Sequence, residues 1–79
     1  WPHRRRTRFA SGITAVLKQQ RDGRFKVSLR SRGGHDVAAA ASRFGGGGHR
    51  LASGYTSSQG LVATVESLKG ALGADLSAP

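Results

Sequence analysis

The run ITAVLKQQRDGRFKVSLRS, Ile13 to Ser31, decides the fold, because two apolar-rich segments flank the turn chemistry Arg21-Asp22-Gly23. Asp-Gly between two such runs is a strong hairpin signal. Glycine accepts the positive φ of a tight reversal, and aspartate bonds its own backbone two residues on. The second segment alternates cleanly, with Phe25, Val27 and Leu29 on one face and Arg24, Lys26, Ser28 and Arg30 on the other. Period-two alternation marks a half-buried strand with a greasy face and a basic one. Most such faces are simply solvated. Two arginines and a serine on one side also suit phosphate oxygens, since a guanidinium offers paired donors and a hydroxyl a third.

Downstream, Arg32-Gly33-Gly34-His35 reads as a loop and Asp36 as the cap of a helix over VAAAASRF, with Val37, Ala40, Ala41 and Phe44 on its packing side. Gly45 ends it. After the glycine run Gly45 to Gly48, LASGYTS predicts a third strand, in which Ala52 and Gly54 share a face and leave room for a neighbouring backbone or a ligand. The last element, Gln59 to Leu72, sets Leu61, Val65, Leu68 and Leu72 at helical spacing. Ser57 or Ser58 would cap it and Gly73 would end it. The expected fold is α/β: a small open mixed sheet in β-β-α-β-α order with the helices packed on it. Residues 1 to 12 read as a basic, disordered arm, 13 to 73 as the domain and 74 to 79 as a tail.

The 79 residues carry 13 Lys+Arg against 4 Asp+Glu, a formal net charge of +9. Such a field attracts polyanions, nucleic acid or phosphorylated metabolites. The absence of cysteine removes disulfides and thiolate metal sites and favours a reducing compartment. No apolar run is long enough to span a bilayer, and the start WPHRRRTRFASG lacks the apolar stretch of a signal peptide. The expectation is a cytoplasmic protein with no membrane partner.

The segment GGGGHRLASG, Gly45 to Gly54, has the makings of an anion site, with unobstructed backbone N–H groups ending beside an imidazole. It is not a P-loop, because Gly48 is followed by His49 and Arg50 rather than Lys-Ser/Thr. Nor is it a dinucleotide fingerprint, since it follows a helix and precedes a strand. Asp22, Asp36, Glu66 and Asp75 are scattered, as are His3, His35 and His49. No acid/base pair and no metal cluster emerges from them, so neither catalytic nor metal-binding residues are assigned.

As a whole, KVSLRSRGGHDVAAAASRFGGGGHRLASGYTS resembles the C-terminal DHH-associated domain of bacterial DHH-family phosphoesterases. The branch it is similar to holds oligoribonucleases, 3′-phosphoadenosine-5′-phosphate phosphatases and cyclic-dinucleotide phosphodiesterases. The resemblance is carried by the SLRS strand, the Asp-Val-Ala helix and GGGGH before a small-residue strand, within roughly Ile13 to Leu72. It implies a substrate-gripping module whose manganese centre belongs to a separate catalytic domain, since no Asp-His-His motif is present. By position, Ser28, Arg30 and Ser31 match the ligand-facing strand, and Gly46, Gly47, Gly48 and His49 the loop that contacts phosphate and sugar. Arg32 is added on charge alone. The implied partners are short RNA or nucleotide phosphates and a DHH catalytic domain. WPHRRRTRFASG does not look like the family's upstream strands, which points to a truncated or separately encoded piece. Two rival readings remain: a general RNA binder using its Arg-rich arm, and an orphaned, non-functional fragment.

Overall fold

The computed structural model describes residues 4–9, 12–33 and 35–76, with side chains described to Leu72. Five strands and two helices follow in the order β1 (Arg4–Phe9), β2 (Ile13–Gln19), β3 (Phe25–Ser31), α1 (Val37–Ser42), β4 (Gly47–His49), β5 (Ala52–Ser57) and α2 (Leu61–Leu76). The strands form one open sheet in the order β1-β2-β3-β5-β4, and all four ladders are antiparallel. This is the expected α/β class, an open sheet with two helices on it, enlarged by a strand at each edge.

The central hairpin forms as its sequence dictates. Gly23 takes φ +89°, Gly23 N–H donates to the Gln20 carbonyl at 3.0 Å, and Asp22 accepts from the Arg24 backbone and guanidinium. Ile13, Ala15 and Leu17 of β2 then lie on the same side as Phe25, Val27 and Leu29 of β3, and all six are buried. Each large aliphatic side chain so buried contributes about 1.5–3 kcal/mol. Helix α1 brings Val37, Ala40 and Ala41 to this face and α2 brings Leu68 and Leu72, with Phe9, Phe44, Leu61 and Val65 packed around the cluster.

The ends of α1 are fixed locally. The Asp36 carboxylate accepts from Ala38 N–H at 2.9 Å and Ala39 N–H at 3.2 Å, the expected cap. At the other end Gly45 N–H donates to Ser42 and Gly46 N–H to Ala41, with Gly45 at φ +82°, a Schellman-type close. Two bonds tie the helix to the sheet: Val37 N–H to the Arg50 carbonyl at 2.8 Å, and Ser53 Oγ to the Val37 carbonyl at 2.7 Å.

Three expectations need correction. The basic arm is not disordered over residues 4–9. These residues form β1, paired with β2 from Arg4↔Lys18 to Phe9↔Ile13. Main-chain bonding to the free edge of β2 supplies the stabilisation that the side-chain pattern conceals, and a cationic edge strand resists pairing with other chains. The glycine run is likewise no simple loop, because Gly47–His49 pairs with β5 as β4. Third, α2 passes Gly73 and runs to Leu76. A glycine weakens a helix by about 1 kcal/mol but keeps its N–H, and no proline intervenes before Pro79. The Ser57 hydroxyl meets Thr64 Oγ1 at 2.7 Å and accepts from Gln59 N–H at 3.1 Å, fastening the β5–α2 junction in place of an adjoining cap. Trp1, Gly34 and residues 77–79 of the expected arm, loop and tail lie outside the described residues.

Tyr55 stacks on Phe44 with ring centroids 4.8 Å apart, and its buried hydroxyl has no hydrogen-bond partner among the described residues. Burial pushes its pKa up from about 10 to about 12. Between those values unfolded chains release the phenolic proton while folded ones retain it, so stability is full below about pH 10 and lost as pH rises towards 12. Tyr55 is the only tyrosine, so the tyrosinate absorbance reads it directly. Its midpoint is expected near 12, and Tyr55→Phe is expected to remove the alkaline loss of stability without lowering the neutral-pH melting temperature. A midpoint near 10 would contradict the burial.

Candidate functional site

Residues directly paired across a sheet project to the same face, so the ladders sort every strand residue. One row across all five strands holds Arg8, Thr14, Arg30, Ala52 and His49. The next holds Arg6, Val16, Ser28, Gly54 and Gly47, and a third Arg4, Lys18, Lys26 and Thr56. These rows lie opposite the buried set, on the face without helices. Every side chain that the ladders bring there is neutral or basic.

Between Arg30 and His49 the face carries only small residues. Ser28, Ala52, Gly54 and Gly47 form its floor, and neighbouring strands about 4.8 Å apart set Arg30 and His49 roughly 10 Å from one another along the row. At Gly54 a Cβ would come 2.8 Å from the Val27 carbonyl oxygen, whereas at Gly47 it would meet nothing within 4 Å. His49 is oriented by its own hairpin, since Leu51 N–H donates to His49 Nδ1 at 3.1 Å. With Nδ1 accepting, the neutral ring carries its proton on Nε2, as a donor. Arg30 is exposed. The trough thus offers a guanidinium on one wall, an imidazole N–H on the other, the Ser28 hydroxyl beside Arg30 in the next row and no side chain at Gly47 to keep a ligand off the backbone.

Four residues of the expected site lie apart from this trough. Ser31 pairs with Ile13 and so faces the core side, where its hydroxyl accepts from Gly33 N–H at 3.2 Å. Gly46 is a packing residue: a Cβ there would run into the Gly54 carbonyl and Tyr55 Cβ, and its amide already serves the end of α1. Gly48, at φ +140°, has its missing Cβ over Ala52 and Ser53. A continuous cradle of amides from Gly46 to Gly48 is therefore not formed, because strand pairing alternates their directions. Arg32 follows β3 at the end of the sheet, its backbone N–H on the Gly12 carbonyl at 3.1 Å. Sequence reasoning named Arg4, Arg6 and Arg8 as part of a basic arm and did not place them, or Thr14, on the open face. The signal was there in the i, i+2 spacing of the three arginines, hidden by the absence of apolar partners between them.

Among the described residues no three His, Cys, Asp or Glu side chains stand together, and the open face offers guanidinium, ammonium and a single imidazole. No helix among the described residues is long and apolar enough to cross a membrane.

An antiparallel sheet with both helices on one side and a cationic open face on the other defines an open-faced α/β domain. Residues 3–74 match the DHHA1 domain family, and the chain belongs to it. This is the DHH-associated domain that the sequence resembles, and the match includes β1, which the resemblance left out. No solved structure matches the chain.

Arg4, Lys18 and Lys26 stand directly opposite one another across three strands, and like charges so placed destabilise a sheet. Raising ionic strength from about 0.01 to 0.15 M shortens the screening length from about 30 to 8 Å. The melting temperature is expected to rise over that range, and Lys26→Glu is expected to raise it at low salt and flatten the dependence. A melting temperature independent of salt would show that the side chains splay apart. The glycines give a second check: Gly46→Ala is expected to destabilise by about 1–3 kcal/mol, and Gly47→Ala to stay within about 0.5 kcal/mol of wild type in denaturant unfolding.

Proposed function

We propose that this DHHA1 domain is the phosphate-gripping module of a DHH-type phosphodiesterase that acts on nucleotides or short oligoribonucleotides in the cytoplasm. The observation that carries the reading is the trough between Arg30 and His49. Its width, its floor of Ser28, Ala52, Gly54 and Gly47, and its donor-only walls suit a phosphate with its attached sugar. Arg30 neutralises the phosphate through paired N–H groups, His49 Nε2 donates to phosphate or ribose, and the unobstructed backbone at Gly47 lets the ligand approach closely. This chain binds and orients. The hydrolytic step belongs to a DHH catalytic domain, whose manganese ions would supply an activated water. The branch of oligoribonucleases, phosphoadenosine-phosphate phosphatases and cyclic-dinucleotide phosphodiesterases fits these requirements on the substrate side.

The rival reading, general RNA binding through the arginine-rich N-terminal segment, draws on Arg4, Arg6 and Arg8 sharing the open face. Salt and ligand length separate the two.

Titration with a diribonucleotide, followed by backbone amide shifts, is expected to saturate, with the largest changes at Ser28, Arg30, Gly47 and His49. Arg30→Ala is expected to weaken binding at least tenfold, in line with about 1.5–3 kcal/mol for a charged hydrogen bond. Gly47→Ala is expected to weaken it while leaving the fold intact. Shifts confined to β1, growing without saturation, would favour the general RNA binder. Cleavage of an oligoribonucleotide by the purified chain with manganese would overturn the division of labour.

A further inference from the structure

The end of the sheet beyond the trough holds a hollow of about 280 Å³, lined by Arg8, Phe9, Gly12, Ile13, Thr14 and Arg32. Neither its arginine pair nor its threonine has a role in the trough. Arg8 and Thr14 are direct partners across β1 and β2, and Thr14 in turn faces Arg30 across β2 and β3. The Arg32 stem lies over Gly12, where an added Cβ would come 3.0 Å from its Cδ. Gly12 is thus the residue that lets the Arg32 side chain settle against the sheet.

We infer that Arg8, Arg32 and Thr14 form a second phosphate site, and that the ligand of this face is a single-stranded oligonucleotide lying across the strands and occupying both sites. The inference rests on the trough reading for its first site. Arg8, Arg30 and His49 share one row with one strand between each, so the track measures about 10 Å from Arg8 to Arg30 and about 19 Å from Arg8 to His49. That length exceeds what one phosphate fills and calls for a ligand with successive phosphates. Two guanidiniums and a hydroxyl around one hollow match phosphate oxygens by charge and by donor count.

The described acidic side chains stand elsewhere. Asp22 is bonded to Arg24 at the opposite end of the central hairpin, Asp36 caps α1, and Glu66 lines the α2 side with Arg5. None lies in the rows of the open face. These rows carry no Phe, Tyr or Trp, His49 at the outer edge is their one aromatic ring, and Val16 is their only aliphatic side chain larger than alanine. A protein partner would favour an aromatic, apolar centre, and base stacking would need aromatic platforms. Backbone phosphates are what this face reads, with little dependence on base.

The test compares a diribonucleotide with a pentaribonucleotide by fluorescence anisotropy on the 79-residue chain, using wild type, Arg8→Ala, Arg32→Gln and Arg30→Ala. Arg8 and Arg32 are exposed, and Arg32→Gln keeps most of the stem over Gly12, so unchanged melting temperatures are expected and are measured alongside. Arg8→Ala and Arg32→Gln are each expected to weaken pentamer binding about tenfold and to leave the dimer within twofold. Each is also expected to reduce the salt slope by roughly 0.7, the value for one single-strand phosphate contact. If the pentamer is insensitive to both substitutions, the second site falls and the trough stands. If the pentamer depends on them while the dimer does not bind, the trough reading falls and the second site stands. A poly-glutamate peptide or anionic vesicles binding as tightly as the pentamer, with the same dependence on Arg8 and Arg32, would overturn the assignment to nucleic acid.

Discussion

The register of the β2–β3 hairpin governs everything else in the molecule. Asp22 and Gly23 close the turn so that Leu17 opposes Val27 and Ala15 opposes Leu29, which gathers the apolar residues of both strands on one face. Because side chains alternate with period two, a slip of one residue in either strand would carry its apolar set to the solvent side. Once the register is set, both helices have one place to go, since only that face removes Val37, Ala40, Ala41, Leu68 and Leu72 from water. The other face is left to the charged and small residues that the same alternation puts there. Core and basic face are two readings of one periodicity.

The path of the chain after β3 then separates the two walls of the trough. Helix α1 crosses the buried side, its ends fixed by Asp36 and by the Gly45–Gly46 close, and delivers β4 to the outer edge before β5 returns between β4 and β3. Had β4 paired with β3 directly, Arg30 and His49 would be neighbours with no room between them. The inserted strand contributes Ala52 and Gly54 to the floor, and the close fit of Gly46 onto the Gly54 carbonyl and Tyr55 holds β4 to it. Three of the four consecutive glycines therefore answer to the fold, by helix closure at Gly45, contact at Gly46 and a positive φ at Gly48. Gly47 alone answers to open space.

What was legible in the sequence was whatever depended on local chemistry or on apolar periodicity. The Asp-Gly turn, the alternation in β3, the Asp36 cap, the packing side of α1 and the Leu61–Leu72 stripe of α2 all appear where expected. The elements that were missed are held by partners distant along the chain. RRRTRF carries one apolar residue, and its strand exists because β2 offers an unpaired edge. Gly47–His49 has poor strand propensity, and its strand exists because β5 runs beside it. The site followed the same division. Arg30 and His49 could be picked out as chemistry, but the assignment of Ser31 to the core side and of Gly46 to packing required the register and the crossover. The face shared by Arg4, Arg6 and Arg8 became visible only once β1 was known to pair.

The basic face also carries a cost that the fold alone does not explain. Arg4, Lys18 and Lys26 stand in line across three strands, and the carboxylates of Asp22, Asp36 and Glu66 are placed on a turn, a cap and a helix rather than among them. A sheet selected only for stability would mix the signs of its cross-strand pairs. Local rules are broken at functional sites when something else compensates, and the polyanion proposed as ligand would compensate in two ways at once. It would satisfy the donors of the Arg30–His49 trough, and it would screen the repulsion between the flanking strands, so its free energy of binding would include relief of a penalty already present in the empty domain. Such a ligand stabilises the folded chain through mass action, and most strongly where β1, whose register depends on main-chain bonding to β2, is held against its own charge.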